Sequence, residues 1–168
     1  MKLEITETRD WSLVWQFCQA PDIVERIVND AWREMGETVR RAHVKLIVEN
    51  PRNHTLLVRS DDEFLGCFVL VWKAGNTFEV HTMLLPRCRG RHAIMAGRMA
   101  IQFAFALPDV GHLISYCPAN NPQSYLFAIM CGWHKAGIAA TQWIQDGIAY
   151  PMKIVEMDKT DLKEALCR

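Results

Sequence analysis

Polar and apolar residues alternate through residues 2–8, the two-residue period of a half-buried strand. Asp10 then stands where a helix N-cap belongs, ahead of Trp11, Val14, Trp15 and Cys18 at the spacing of one helix face. Pro21 and Asp22 restart an amphipathic pattern through Ile23, Ile27, Val28, Ala31 and Trp32. Residues 38–48 extend it as a third helix until Asn50 and Pro51 stop it. The period then falls to two. Residues 54–59, 63–72 and 77–85 read as strands joined by turns at Ser60-Asp61-Asp62 and Ala74-Gly75-Asn76. Beyond Pro86 an arginine-rich turn leads into a helix ending near Leu107, where Ala93, Gly97, Ala100 and Ala104 form a small-residue stripe suited to close packing on a sheet. A short strand at 112–117, a helix at 121–131 and a strand pair at 138–144 and 149–155 about Asp146-Gly147 complete the pattern. The order is strand, two or three helices, three strands, helix, strand, helix, two strands. It predicts an α/β domain with a mixed sheet.

Composition narrows the function. The 168 residues, half of them apolar, suit one compact domain with a substantial core, and no repeat or linker divides them. Lys plus Arg balances Asp plus Glu at 19 each, so no overall field draws the chain to nucleic acid or to an anionic membrane; a charged ligand needs a local patch. The apolar stretch 93–107 is interrupted by Arg98 and Gln102 and is shorter than the roughly 20 residues of a membrane span. The first residues lack the basic, then apolar, pattern of a secretory signal, and the expectation is a cytoplasmic protein. Six cysteines stand at no zinc-module or thioredoxin spacing and read as reduced, mostly buried thiols. His81, Cys88, His92, His112, Cys117 and His134 likewise match no metal module, so no metal site is assigned. Without a basic stripe, the six tryptophans read as core or interface residues.

The chemistry concentrates in two motifs. In the first, the strand Val80-His81-Thr82-Met83-Leu84-Leu85 ends at Pro86 and runs into Arg87-Cys88-Arg89-Gly90-Arg91. Three arginines crowd a helix N-terminus, where the macrodipole disfavours cations by a few tenths to about 1 kcal/mol each. Backbone N–H groups and guanidinium forks there suit a pyrophosphate, and Gly90 lets the backbone come close; the alternative is three solvated arginines in a loop. In the second motif, Asn121-Pro122-Gln123-Ser124 is followed by Cys131-Gly132-Trp133 and Gly137. Asn121 before Pro122 also makes a good N-cap, and Gly132 a good helix terminator, whatever the function.

Together the two motifs, separated by a helix and a strand, resemble the coenzyme-binding half of the GNAT (GCN5-related N-acetyltransferase) superfamily. The resemblance covers residues 78–137, about a third of the chain. It implies a single-domain GNAT-like acyl-CoA N-acyltransferase fold over residues 1–168, a mixed central sheet flanked by helices. Residues 1–77 would form the acceptor side, 78–137 the coenzyme site, and 138–168 the last strands and tail. It implies acetyl-CoA as co-substrate, contacted by Leu84, Arg87, Arg89, Gly90, Arg91, His92, Ala93, Ile94 and Asn121. In the family's pattern the positions of His92 and Ile94 are glycine or small.

Acyl transfer to an amine needs a base, backbone donors for the oxyanion and a proton for the departing thiolate. The resemblance places the base on or near the strand before the arginine turn. Glu79 and His81 alternate there with apolar neighbours, and His81 is preferred because its unperturbed pKa lies near working pH; a purely structural histidine is the alternative. The family's tyrosine acid falls at Ala128. Tyr125, three residues earlier and about 4.5 Å along the helix, is the substitute candidate, with simple packing as its other reading.

The leading expectation is therefore transfer of an acetyl group from acetyl-CoA to an amine of a small molecule or protein, without membrane or nucleic acid. The alternative is a catalytically degenerate GNAT-fold protein with a binding or assembly role. The histidine-bearing strand, Leu84-Leu85-Pro86 and the His92-Ala93 pair after the arginines also resemble GNAT-like proteins of tailed bacteriophages, some of them head or virion components. A second copy of the chain and phage structural proteins are the remaining candidate partners.

Overall fold

A computed structural model describes residues 2–61 and 63–162, with residues 26 and 27 described by their backbone alone. Strand β1 (Leu3–Thr8) is followed by four helices, α1 (Trp11–Gln19), α2 (Pro21–Ile27), α3 (Asp30–Glu34) and α4 (Glu37–Glu49). The antiparallel run β2 (His54–Ser60), β3 (Glu63–Ala74) and β4 (Thr77–Leu84) comes next. Then come α5 (Arg91–Ala106), β5 (His112–Pro118), α6 (Pro122–Met130) and the hairpin β6 (His134–Gln145) and β7 (Ile148–Asp158), followed by a 3-10 turn at Lys159–Asp161. The expected element order is present, with one difference. The second helical pattern is broken in two, because Val28 adopts an extended conformation and dips into the core while the Asn29 side chain accepts the Trp32 amide at 2.8 Å, capping a new helix.

The seven strands form one sheet in the order β1-β2-β3-β4-β5-β7-β6. Every neighbouring pair is antiparallel except β4 and β5. Each face of the sheet buries its own core. On one, Phe78, Val80, Leu113 and Val155 meet Ala93, Ala96, Ala100, Ala104 and Phe105 of α5. On the other, Leu57, Val69 and Met83 meet Val14 and Phe17 of α1 and Val44 and Val48 of α4. Phe105, Phe78 and Leu113 are fully buried, each worth about 1.5–3 kcal/mol relative to exposure.

The small-residue stripe of α5 differs in one member from the expected one. Ala96 takes the sheet-facing position with Ala93, Ala100 and Ala104, whereas Gly97 turns toward α6. A Cβ at Gly97 would lie 2.5 Å from Cys131 Sγ and 2.8 Å from Phe127 Cζ. That glycine sets how closely α5 and α6 approach, and so where the N-terminus of α6 stands.

The N-terminal helices reach across to the far hairpin. Asp30 accepts the amides of Asp146 and Gly147, both at 2.8 Å; Arg33 pairs with Asp146, and Gln145 Nε2 donates to the Glu25 carbonyl at 3.1 Å. Because α1 and α4 sit over the β2–β4 side and β6 is the opposite edge, α2 and α3 form a strap that runs from that side to the β6–β7 turn. Among the described residues no helix is long and apolar enough to cross a membrane.

Candidate active site

The site is built where the one parallel pair comes apart. Only Thr77–His112, Phe78–Leu113 and Glu79–Ile114 are paired, although β4 continues to Leu84 and β5 to Pro118. Beyond this point Ser115 Oγ donates to the Val80 carbonyl at 2.8 Å. That bond shows which way the Val80 carbonyl points. Since backbone groups alternate sides along a strand, those of Thr82 and Leu84 point into the same opening. Each helix that follows these strands, α5 after β4 and α6 after β5, therefore begins at the open end.

At the start of α5, Gly90 has φ +58° and ψ −134°, a conformation that L side chains rarely adopt. No side chain caps this helix, and an added Cβ at Gly90 would meet nothing within 4 Å, so the amides of the first turn border open space. Arg89 and Arg91 are exposed beside it. Arg87 is not with them. Its guanidinium turns back to the Phe64 carbonyl and lies 3.6 Å from Glu63, tying the turn to the start of β3. Ala93 is buried, Ile94 packs inward against the α5 core and Leu84 joins the same core, while His92 is half-buried. Of the two bulky departures from the family's small residues, Ile94 thus leaves the turn clear.

Glu79 and His81 share the sheet face that Met83 occupies, the face of α1 and α4, as the two-residue period expects. Glu79 Oε2 accepts from Lys73 Nζ at 2.8 Å, and Glu79 Oε1 lies 3.4 Å from His81 Nε2. Half of the His81 side chain (51 %) meets solvent. Desolvation by the protein packed around it nevertheless holds its pKa below 6.5; Lys73 and His43 act in the same direction and Glu79 opposes them. The imidazole is neutral at pH 7, as a proton acceptor must be. Lys73, pushed up by its hydrogen bond to Glu79, stays a cation.

Asn121 caps α6, its Oδ1 accepting from Ser124 N at 3.3 Å. Together with Glu25, Asn120, Pro122, Gln123 and Gln145 it lines an open cleft of about 290 Å³ beneath the strap. Tyr125 packs partly into the core on the opposite face from Glu79 and His81, with those two and Lys73 on one side of the sheet and Lys153 Nζ 4.3 Å above the Tyr125 ring on the other. The β4–β5 opening separates them. Ala128, at the family's tyrosine position, is buried. Among the described residues, no three metal-ligating side chains stand together in a way that could hold an ion.

Sequence reading missed Lys73 and Ser115. Lys73 sits across the β3–β4 hairpin from Glu79, and an opposite-charge pair flanking a tight turn is a readable signal. Ser115 gave none, since its role depends on where two strands part.

Residues 3–134 match the family model described as Acetyltransferase (GNAT) domain. No curated protein matches the chain in sequence. Among solved structures, spermidine N-acetyltransferase from Vibrio cholerae in complex with CoA and spermine aligns with a TM-score of 0.74 and 13% identity, over 96% of this chain and 97% of that one. An acetyltransferase of the GNAT family from Bacillus anthracis aligns with a TM-score of 0.69 and 17% identity, over 95% and 96% of the two chains. The fold, the order of its elements and the family match agree, and the chain belongs to the GNAT acetyltransferase domain family.

Proposed function

We propose that the protein is an acyl-CoA-dependent N-acyltransferase that moves an acetyl group from acetyl-CoA to an amine. The observation that carries this reading is the opening between β4 and β5, which begins after three paired residues and ends at the uncapped, arginine-flanked N-terminus of α5. The donor set fits the coenzyme: exposed guanidiniums and open helix amides suit its phosphates, and outward-facing strand amides suit its pantetheine amides. Arg89, Arg91 and the first-turn amides of α5, with Gly90 and His92 beside them, hold the pyrophosphate; Ala93, Ile94 and Leu84 form the floor, and Asn121 the far wall.

Acetyl-CoA supplies an acyl group already activated as a thioester. His81 takes a proton from the acceptor amine, and Glu79 orients the imidazole. The amides of Thr82 and Leu84 are placed to stabilise negative charge on the acyl oxygen. Water or the Tyr125 hydroxyl returns a proton to the departing sulfur. Residues 1–77, with the strap and the cleft at Glu25 and Gln145, form the acceptor side; 78–137 hold the coenzyme, and the last strands close the site. The setting in this reading is cytoplasmic, and the acceptor is a small-molecule or protein amine, the spermine of the Vibrio cholerae complex being one example to include in a panel.

Calorimetric titration of acetyl-CoA tests the proposal. We expect micromolar binding by the wild type and about ten- to a hundredfold weaker binding by Arg89→Ala, the loss of one charge-assisted hydrogen bond of about 1.5–3 kcal/mol. No heat at millimolar ligand would defeat it. That outcome would favour a second reading, a GNAT-shaped binding or assembly component such as a bacteriophage head or virion protein, acting alone or with a second copy of itself. Its supporting observation is the buried Ala128 at the acid's position, with Tyr125 covered by Lys153. Co-purification with capsid proteins would then be its positive evidence.

A further inference from the structure

The edges of the coenzyme opening are set by the last hydrogen bonds that hold β4 to β5. Here His112 N donates to Asn76 O at 3.1 Å, one residue before the Thr77–His112 pair. In a parallel ladder the bonds advance two residues at a time on each strand. This phase makes Ile114 N the donor to Phe78 O and Val80 N the donor to Ile114 O, the bonds that define the Glu79–Ile114 pair. The next pair in phase would be His81 with Tyr116, closed by Tyr116 N on Val80 O and by Thr82 N on Tyr116 O. That pair is not formed. At this step a side chain engages the carbonyl that the ladder would use: Ser115 Oγ donates to Val80 O at 2.8 Å.

We infer that Ser115 is the positioning residue that ends the parallel ladder and thereby fixes where the coenzyme opening begins. The inference rests on the reading of the opening as the acetyl-CoA site. Its physical basis is competition for one acceptor. A carbonyl at the apex of a partly buried opening needs a donor, because leaving it unpaired is costly. A hydroxyl on the neighbouring strand supplies that donor without drawing the two backbones together, since it reaches across from Cβ. A backbone amide would supply it only by bringing Tyr116 against Val80, which would carry Thr82 toward the Tyr116 carbonyl. Thr82 would then spend on the sheet the amide that the reaction requires. Ser115 faces the α5 side with Leu113 and Cys117, so its hydroxyl lies over the apex and not among Glu79, His81 and Lys73.

The test compares Ser115→Ala, Ser115→Val and Ser115→Thr by amide hydrogen exchange and by acetyl-CoA calorimetry. Threonine keeps the hydroxyl, and valine matches its shape without it. We expect the Tyr116 and Thr82 amides of the coenzyme-free protein to exchange at least tenfold more slowly in the Ala and Val variants than in the wild type. Acetyl-CoA affinity should fall about tenfold in the same two variants, with Ser115→Thr within about twofold of wild type on both measures. A serine that merely stabilised the fold would instead give faster exchange throughout and a lower Tm. Unchanged or faster exchange at Tyr116 and Thr82 in both Ala and Val variants overturns the inference whatever the affinities. If the wild type does not bind acetyl-CoA, the enzymatic reading fails by itself; slower exchange in Ala and Val would still uphold the role of Ser115 in ending the ladder.

Discussion

His81 is the residue on which a pH dependence can be argued with its sign. Its pKa in the fold is held below 6.5 by desolvation, aided by Lys73 and His43 and opposed by Glu79. The imidazole is thus mostly neutral above pH 6.5 and gains its proton as the pH falls through its folded pKa. We expect the ratio of wild-type to His81→Gln kcat/KM, which cancels titration of the acceptor amine, to be flat above pH 6.5 and to fall on acidification. The plateau should lie about 10²–10⁴, the usual contribution of a general base. A ratio near one across pH 5–8 would remove His81 as the base. The linkage to stability has the same sign: between its unfolded pKa and the lower folded one the unfolded chain binds the proton first, so His81's contribution is present above pH 6.5 and lost below it. The face shared by Glu79 and His81 was readable because strands alternate. The diversion of Arg87 to Phe64 and Glu63 was not, since three arginines in one turn look alike until the neighbouring hairpin is placed.

At the scale of elements, the α5–α6 contact makes the sharpest prediction. Gly97→Ala improves helix propensity by about 0.8–1 kcal/mol but drives a methyl group against Cys131 and Phe127. Overpacking of this kind costs about 1–3 kcal/mol, so we expect net destabilisation of up to about 2 kcal/mol and a Tm lower by up to roughly 8 °C in calorimetric melting. An unchanged or raised Tm would show that α6 can back away. Long periodic elements such as α4, α5 and β2 to β4 were legible because each carries its own pattern. The edge strand β6 was longer than its pattern, His134–Gln145 against 138–144, because register shifts at Lys135/Gly137 and Ile138/Gln142 break the alternation. The α2–α3 break was hidden for a related reason: the apolar spacing runs on through Val28, and only the Asn29 cap separates the two helices.

Across the whole molecule, the strap joins residues more than a hundred positions apart, from Asp30 to Asp146 and Gly147 and from Glu25 to Gln145. No local period encodes such a tie, which is why the strap was the least legible part of the fold. Hydrogen bonds from Gly147 and Asp146 lower the pKa of Asp30, so this clasp holds through the ordinary carboxylate range and loosens below it, as the pH falls through the lowered pKa. The thiols show a different whole-molecule pattern. Burial raises the pKa of Cys18 to about 11 and Cys131 to about 12, and shifts Cys67, Cys88 and Cys117 upward as well, while Cys167 lies outside the described residues. A chromogenic disulfide reagent reacts with thiolates it can reach, and these five offer it few. At pH 7.5 the native protein should therefore give at most one fast thiol, against six after denaturation. Free coenzyme released by the proposed reaction would then be read continuously against a nearly silent protein background.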